Sequence, residues 1–242
     1  MTPAPPKKPR ASAVIVAAGG SARMGTTLAR KPLLDLGDRP ILEHACAAFQ
    51  ASERTVELIV VAHPEDADTI RQWVAEREAF AKVLGVVDGG GERAESVRLG
   101  VKWCSFDVDV ICVHDAARPL VEPAGIDATI DCAAARGAAI LALPVRDTLK
   151  SSPDGRVVDR TVDRNGLWAA QTPQAFQAGP FREMLARAEE DSFSPPDDAS
   201  LWERYEGPVA IVEGSPDNLK VTTPADLELA RAVLASRMRA SG

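Results

Sequence analysis

Short runs of near-continuous apolar residues alternate with longer helix-like segments up to Val145, and this rhythm restricts the possible folds more than any other feature of the chain. The runs are Ala13–Ala18, Leu58–Ala62, Val83–Val87, Val108–His114 and Ala138–Val145. They lack the polar–apolar alternation of a strand with one wet face, so they read as strands covered on both sides. Between them lie Pro40–Ala51, Glu65–Glu78, Arg93–Cys104 and Pro123–Arg136, each long enough for a crossover helix. Pro40 and Pro123 stand where the first turn of a helix accepts proline. The pattern predicts an α/β fold with a doubly wound, mostly parallel sheet.

After Val145 the rhythm breaks. Asp147–Ser151 and Arg156–Val162 flank Ser152-Pro153-Asp154-Gly155, in which proline presets one backbone angle and glycine accepts a positive one. The flanks are polar and β-branched, with little apolar surface for a core, so residues 146–166 are expected to form a projecting β-hairpin arm. The chain then returns through Leu167–Phe176, a helix over Pro180–Glu190, a short strand over Val209–Val212 and a last helix over Pro224–Met238. Ser192–Asp198 reads as a Pro/Asp-rich surface loop. With 242 residues the chain lies below the roughly 250–300 at which one core stops growing, and no internal repeat divides it. The expectation is a leader over 1–11, disordered and rich in Pro and Lys, followed by a single domain over 12–238.

Charge and composition exclude several classes of function. The 28 Lys and Arg against 35 Asp and Glu leave a net charge of −7, which offers nucleic acid or an anionic membrane no general attraction. The apolar run after the basic leader spans about six residues, short of the roughly 7–15 of a signal peptide, and no run approaches the roughly 18 of a membrane span. The four cysteines, Cys46, Cys104, Cys112 and Cys132, show no CxxC spacing, and His44, His63 and His114 form no HExxH or HxH group. Protein-built zinc and a disulfide framework are both disfavoured, and a cytoplasmic location with buried free thiols is expected.

Four unusual segments each begin where a predicted strand ends: Gly19–Met24, Asp88–Arg93, Asp115–Pro119 and Arg146–Thr148. In a parallel sheet these ends share one rim, the rim at which open α/β sheets bind ligands. The first segment is glycine-rich and carries Arg23, with Lys31 eight residues later. Bare backbone N–H groups and two cations suit phosphate, although an ordinary glycine turn with surface cations has the same composition. It is neither GxGxxG nor a Walker loop. Gly89-Gly90-Gly91 offers backbone to a flat base, and Ser96 lies one turn into the next helix. Asp115 ends a buried strand, a costly place for an unpaired charge. It pairs structurally with Arg118, or it holds a ligand hydroxyl or a metal-bound phosphate. Asp107 and Asp109 precede that strand at the opposite rim and read as solvated turn charges. Arg164 on the arm and Lys220, expected on a short strand before the last helix, complete the candidate cations.

In this order, the motifs resemble those of the 2-C-methyl-D-erythritol 4-phosphate cytidylyltransferase family. The diagnostic pieces are Asp88-Gly89-Gly90 with Glu92-Arg93-Ala94 and Ser96-Val97, His114–Pro119, Pro144–Thr148, Thr161–Trp168, Gln171–Gln174 and Asn218–Thr222. The resemblance spans about Ser12 to Arg237 and implies a Rossmann-like sheet of the nucleotidyltransferase type. It assigns Arg23 and Lys31 to the α-phosphate of CTP, and Arg164 and Lys220 to methylerythritol phosphate, with Asp115 and Thr148 on its hydroxyl and phosphate side. Ala17, Ala18, Gly19, Gly90 and Ser96 match the cytidine-binding positions. It further implies Mg²⁺ on the triphosphate, held mainly by the CTP phosphates with no protein metal ligand named, and a homodimer whose arms interlock so that Arg164 and Thr148 serve the neighbouring site. The chain departs from the family at Ser21, which replaces a glycine, and at Gly91, where an acidic residue is common. It also has Arg30-Lys31-Pro32 in place of Pro-Lys-Gln, one residue further from Arg23, so Arg30 and Lys31 both stand as the second cation. A ribitol 5-phosphate cytidylyltransferase and a non-catalytic nucleotide sensor are the rival readings; Asp163–Trp168 favours the first assignment. The chain ends just past its last predicted helix, so no fused second enzyme is expected.

Overall fold

The computed structural model describes residues 8–19, 30–77 and 80–240. Residues 1–7, most of the predicted leader, lie outside them, as do residues 20–29, which include Arg23. The chain enters β1 (Ala11–Ala17), turns through one 3₁₀ segment (Lys31–Leu33), and forms the small pair β2 (Asp35–Leu36) and β3 (Arg39–Pro40) before α1 (Ile41–Ala51). Then follow β4 (Thr55–Ala62), α2 (Ala67–Glu76), β5 (Val83–Asp88), α3 (Arg93–Val101), β6 (Val110–Asp115), α4 (Pro123–Arg136) and β7 (Ala138–Pro144). The hairpin strands are β8 (Leu149–Ser151) and β9 (Arg160–Val162), and β10 (Trp168–Gln177), α5 (Ala178–Glu190), α6 (Asp198–Tyr205), β11 (Ala210–Glu213) and α7 (Pro224–Ala240) complete the chain. Pro123 takes the first position of α4, whereas Pro40 stands one residue before α1.

The main sheet runs β11–β7–β10–β6–β1–β4–β5. Every neighbouring pair is parallel except those made by β10, which is antiparallel to both β6 and β7. Successive side chains of a strand point to opposite faces, and here both faces are dry. Ala13, Ile15, Leu58, Val60 and Cys112 face Phe49 of α1, Ile70 of α2 and Ile126 of α4. Val14, Ile59, Val61, Ile111 and Val113 face Val97 of α3, Phe181 of α5 and Trp202 of α6. That two-sided burial is why the strands read as continuous apolar runs. No helix among the described residues is long and apolar enough to cross a membrane. The cysteines are free, three of them buried, and burial pushes the Cys104 thiol up to about 12.

Two expectations need correction. Ser192–Asp198 does not end as a surface loop: Asp198 opens α6 and is only 1 % exposed. Asp197 caps that helix, its carboxylate accepting the Ser200 N–H at 2.9 Å. The Pro195-Pro196 pair and two adjacent aspartates mask this start, because the same residues serve turns and helix caps. Lys220 stands outside any strand, on the irregular segment between β11 and α7. At the opposite rim Asp109 accepts the Arg10 backbone N–H and Asp107 its guanidinium, each at 2.8 Å, so these two acids tie down the entry to β1.

β8 and β9 pair antiparallel with Leu149 opposite Val162, and the tip is built on Asp154, which accepts the Arg156 and Val157 N–H groups. Val157 and Val158 are 69 % and 56 % exposed there. Packing is close where α3 lies on the sheet. A Cβ at Gly100 would stand 2.6 Å from Val14 and 2.7 Å from Val61. Gly100→Ala is therefore expected to lower unfolding free energy by about 1–3 kcal/mol through overpacking, in spite of alanine's better helix propensity. Urea unfolding checks this, and an unchanged midpoint would contradict it.

Candidate active site

The adjacent parallel strands β6, β1, β4 and β5 end on one rim, and a cleft of about 240 Å³ opens there. Ala17, Ala18 and Gly19 line it from the end of β1, and Gly90 and Ser96 from the end of β5 and the start of α3. Lys31, Asp115 and Lys220 close it from three separate segments. One chain does not bring Thr148 and Arg164 to this cleft: both are exposed on the hairpin side, and the Arg164 guanidinium donates to the Arg146 carbonyl.

Close approach shapes the glycine segment. The Gly89 N–H donates to the Ala62 carbonyl at 2.7 Å, and a Cβ at Gly89 would lie 2.3 Å from that of Ala18. Only glycine lets this turn touch the end of β1. The Gly90 N–H donates to the buried Ser96 hydroxyl at 3.1 Å, and the Gly91 N–H to Glu95 at 2.8 Å. The first turn of α3 therefore shapes the backbone offered to the cleft. As an acceptor to Gly90, Ser96 keeps its own hydroxyl hydrogen for another partner.

The 3₁₀ turn separates the two neighbouring cations. Arg30 is drawn away by Glu65 and by Asp66 at 3.2 Å, while Lys31 lines the cleft. Lys220 is placed by its neighbours. Val221 is fully buried and its N–H donates to the Ala117 carbonyl at 2.8 Å. The Asn218 amide donates to the Thr172 carbonyl at 2.9 Å.

Asp115 ends β6 and is buried, but Arg118 is not its partner. Arg93 donates from Nε to Asp115 Oδ1 at 3.1 Å, and Lys220 Nζ donates to Oδ2 at 2.6 Å. Arg118 instead donates to the Asn218 carbonyl at 2.7 Å. The reason is geometric: the turn after β6 sends residue 118 toward the β10 side, whereas α3 and the segment before α7 meet the carboxylate directly. Burial pushes the Asp115 carboxyl up, but Arg93 and Lys220 outweigh it and hold the group well below the usual carboxylate range. Arg93 reaches a second carboxylate, donating from Nη2 to Asp198 at 2.8 Å. Burial alone would lower the Arg93 pKa; Asp198 and Asp115 raise it above its ordinary value. Arg93 was legible only as part of a motif, and Asp198 was missed. An arginine in the first turn of a helix, where the dipole disfavours a cation, was the available signal.

His114 supports Asp115 from behind. Its Nε2–H donates to the Arg118 carbonyl at 3.1 Å, and its Nδ1 accepts the Thr172 hydroxyl at 3.0 Å. Thr172 Oγ1 in turn accepts the Asp115 backbone N–H at 3.1 Å. Burial brings the imidazole pKa down to about 4, so it is neutral at physiological pH. A protein-built metal site does not fit. Among the described residues no three His, Cys, Asp or Glu side chains group to hold an ion, and both Asp115 oxygens are taken by cations.

A family model described as IspD, 2-C-methyl-D-erythritol 4-phosphate cytidylyltransferase, matches residues 11–236. The chain belongs to that cytidylyltransferase family. It is 44% identical to the curated Syntrophotalea carbinolica enzyme over 91% of this chain and 94% of the relative. Against the enzyme of Pelotomaculum thermopropionicum the identity is 41%, over 94% and 95% of the two chains. Among solved structures, the 4-diphosphocytidyl-2C-methyl-D-erythritol synthase of Anaerococcus prevotii superposes with a TM-score of 0.81 at 28% identity, covering 94% of this chain and 97% of that one. The Thermus thermophilus cytidylyltransferase gives 0.75 at 32% identity, over 92% and 98%. The fold is thus that of the family's nucleotidyltransferases, with the cleft at the rim of its sheet.

The His114 environment predicts acid sensitivity. The folded pKa of about 4 lies below the ordinary 6.5, so the unfolded chain takes up a proton first as pH falls. The corresponding stability is complete above pH 6.5 and is lost on acidification toward pH 4, a change on the order of 3 kcal/mol. The contribution from Asp115 is lost only at lower pH, because its folded pKa lies below the ordinary 3.8. Denaturant unfolding at pH 7.5, 6, 5 and 4.5 reads the slope, and a flat profile would contradict it.

Proposed function

We propose that this cleft joins CTP to 2-C-methyl-D-erythritol 4-phosphate, giving 4-diphosphocytidyl-2-C-methyl-D-erythritol and pyrophosphate, a step in isoprenoid precursor biosynthesis by the non-mevalonate route. The observation that carries this reading is the entry of Lys31 and Lys220 into one cleft, beside the bare Gly90–Gly91 backbone, in a chain of that family. A phosphate oxygen of the acceptor attacks the α-phosphorus, a new P–O bond forms, and the bond to pyrophosphate breaks. A phosphate monoester has its second pKa near 6 and is largely dianionic at neutral pH, so no general base is needed. The environment agrees: His114 is buried and neutral, and Asp115 is held ionised between two cations.

What the reaction needs is relief of repulsion between two anions as charge spreads in the transition state. In this reading Lys31 and Arg23 supply it at the α-phosphate, and Lys220 with Asp115 orients the acceptor. Ala17, Ala18, Gly19, Gly90 and Ser96 take the cytidine, the backbone groups reading its edges and the spare Ser96 hydrogen adding a donor. Mg²⁺ on the triphosphate would be held by phosphate oxygens and water, in keeping with its preference for oxygen ligands, and would offset part of the triphosphate charge. Thr148 and Arg164 reach the site from a second copy in a homodimer, for which the exposed valines of the hairpin tip supply an apolar surface. The buried free thiols support a reducing, cytoplasmic setting.

Pyrophosphate release with CTP is expected for methylerythritol phosphate and not for ribitol 5-phosphate; the reverse preference, or CTP binding without release, would overturn the reading. In the same assay Arg23→Ala is expected to lower kcat by roughly 10²–10³ with CTP affinity nearly intact, by analogy with losing one oxyanion donor. Near-normal turnover would remove Arg23 from this role. For the shared site, mixing Arg164→Ala with Arg23→Ala chains should restore part of the lost activity through mixed dimers. Absence of rescue in confirmed mixed dimers would mean that each site is built within one chain.

A further inference from the structure

Four charged side chains alternate in sign from the interior to the cleft: Asp198, Arg93, Asp115 and Lys220. Arg93 lines the cleft and holds Asp115, but the innermost group, Asp198, has no part in the function described so far. Asp198 belongs to α6, a helix that does not line the cleft, and it is 1 % exposed. Its carboxylate is bound to the Arg93 guanidinium at 2.8 Å and its helix packs on the sheet through Leu201 and Trp202. A carboxylate with so little solvent is retained at a cost unless it is well paired, so its effect on the groups it holds is the natural place to look for a use.

The donor atoms matter. Arg93 uses Nε toward Asp115 and Nη2 toward Asp198. These nitrogens carry the two hydrogens of a single guanidinium fork, the fork that commonly closes on both oxygens of one carboxylate. Here the fork is split between two acids. Asp115 consequently receives Arg93 on Oδ1 only, and Oδ2 is left for Lys220 at 2.6 Å. If Asp198 lost its charge, the fork would close on Asp115, and Lys220 would be displaced from the oxygen that orients it.

We propose that Asp198 is a positioning residue for the acceptor phosphate: by splitting the Arg93 fork it reserves one Asp115 oxygen for Lys220 and so holds that ammonium group in the cleft. Lys220 then spends one of its three N–H donors on Asp115 and presents the others to the phosphate. The effect belongs to the acceptor side, because the nucleotide contacts at Gly90 and Ser96 do not run through Asp198. This inference rests on the function proposed above.

The test is steady-state kinetics of the full-length chain with CTP and methylerythritol phosphate, comparing wild type, Asp198→Asn, Arg93→Lys and Asp197→Asn. Asparagine keeps the shape of Asp198 and removes its charge. The KM for methylerythritol phosphate is expected to rise about 10-fold or more, with that for CTP changed by less than about twofold. Asp197→Asn disturbs the same helix start but keeps a competent cap, and it should leave both KM values near wild type. A purely structural role for Asp198 would reduce kcat through a smaller folded fraction and leave both KM values unchanged, and that result overturns the proposal. If Asp198→Asn does not fold, Arg93→Lys decides. A lysine reaches one carboxylate and not both, so an unchanged acceptor KM in that variant also overturns the inference. Wild-type enzyme that turns over methylerythritol phosphate while the variants show no acceptor-selective change refutes this inference alone. Wild-type enzyme inactive with that acceptor refutes it together with the functional reading.

Discussion

Everything at the cleft depends on keeping a carboxylate ionised at the end of a strand that is buried on both faces. Asp115 has the burial that would ordinarily neutralise it. Two cations prevent this, and each arrives from a different part of the chain: Arg93 at the start of α3, and Lys220 on the segment before α7. The same contacts that stabilise the charge therefore bring three elements together over the rim. His114 and Thr172 complete the arrangement from behind by holding the strand end without adding a charge.

That organisation explains how an acidic chain handles phosphorylated substrates. A net charge of −7 gives no long-range attraction for them. The cations must be concentrated locally and must not be consumed by the surrounding acids. Arg30 is consumed in this way, by Glu65 and Asp66, whereas the next residue turns into the cleft. Many other cations are likewise engaged elsewhere, as Arg10 is at the far rim and Arg54 is with Asp131. The electrostatic character of the cleft is a property of placement more than of composition.

Much of the sheet was legible because its strands are covered on both sides, a condition that writes itself into composition as unbroken apolar runs. The rim loops were legible for a related reason: in a parallel sheet, the ends of successive strands share a side whatever the loop sequences are. α6 was not legible, since Pro195, Pro196, Asp197 and Asp198 describe a turn as well as they describe a helix cap. Of the two readings open for Asp115, the structural one offered Arg118, three residues away, because nearness in sequence favours it; the residues that meet the carboxylate are Arg93 and Lys220, which are 22 and 105 residues away. The motif residues Gln171, Thr172 and Asn218 carried no visible chemistry in the sequence; folded, they fasten the Lys220 segment to β10.

The sequence by itself determined the class of fold, the rim at which chemistry collects and the family to which the chain belongs, because apolar periodicity and short glycine and arginine motifs are local quantities. Only the tertiary structure decided which charges meet. An ion pair in a buried setting is fixed by the directions from which helices and loops cross a strand end, and those directions follow from packing on two faces of a sheet. Hence Asp198, silent in the sequence, stands directly behind the cleft-lining Arg93, and the arginine next in sequence to Lys31 is held away from the cleft by Glu65 and Asp66.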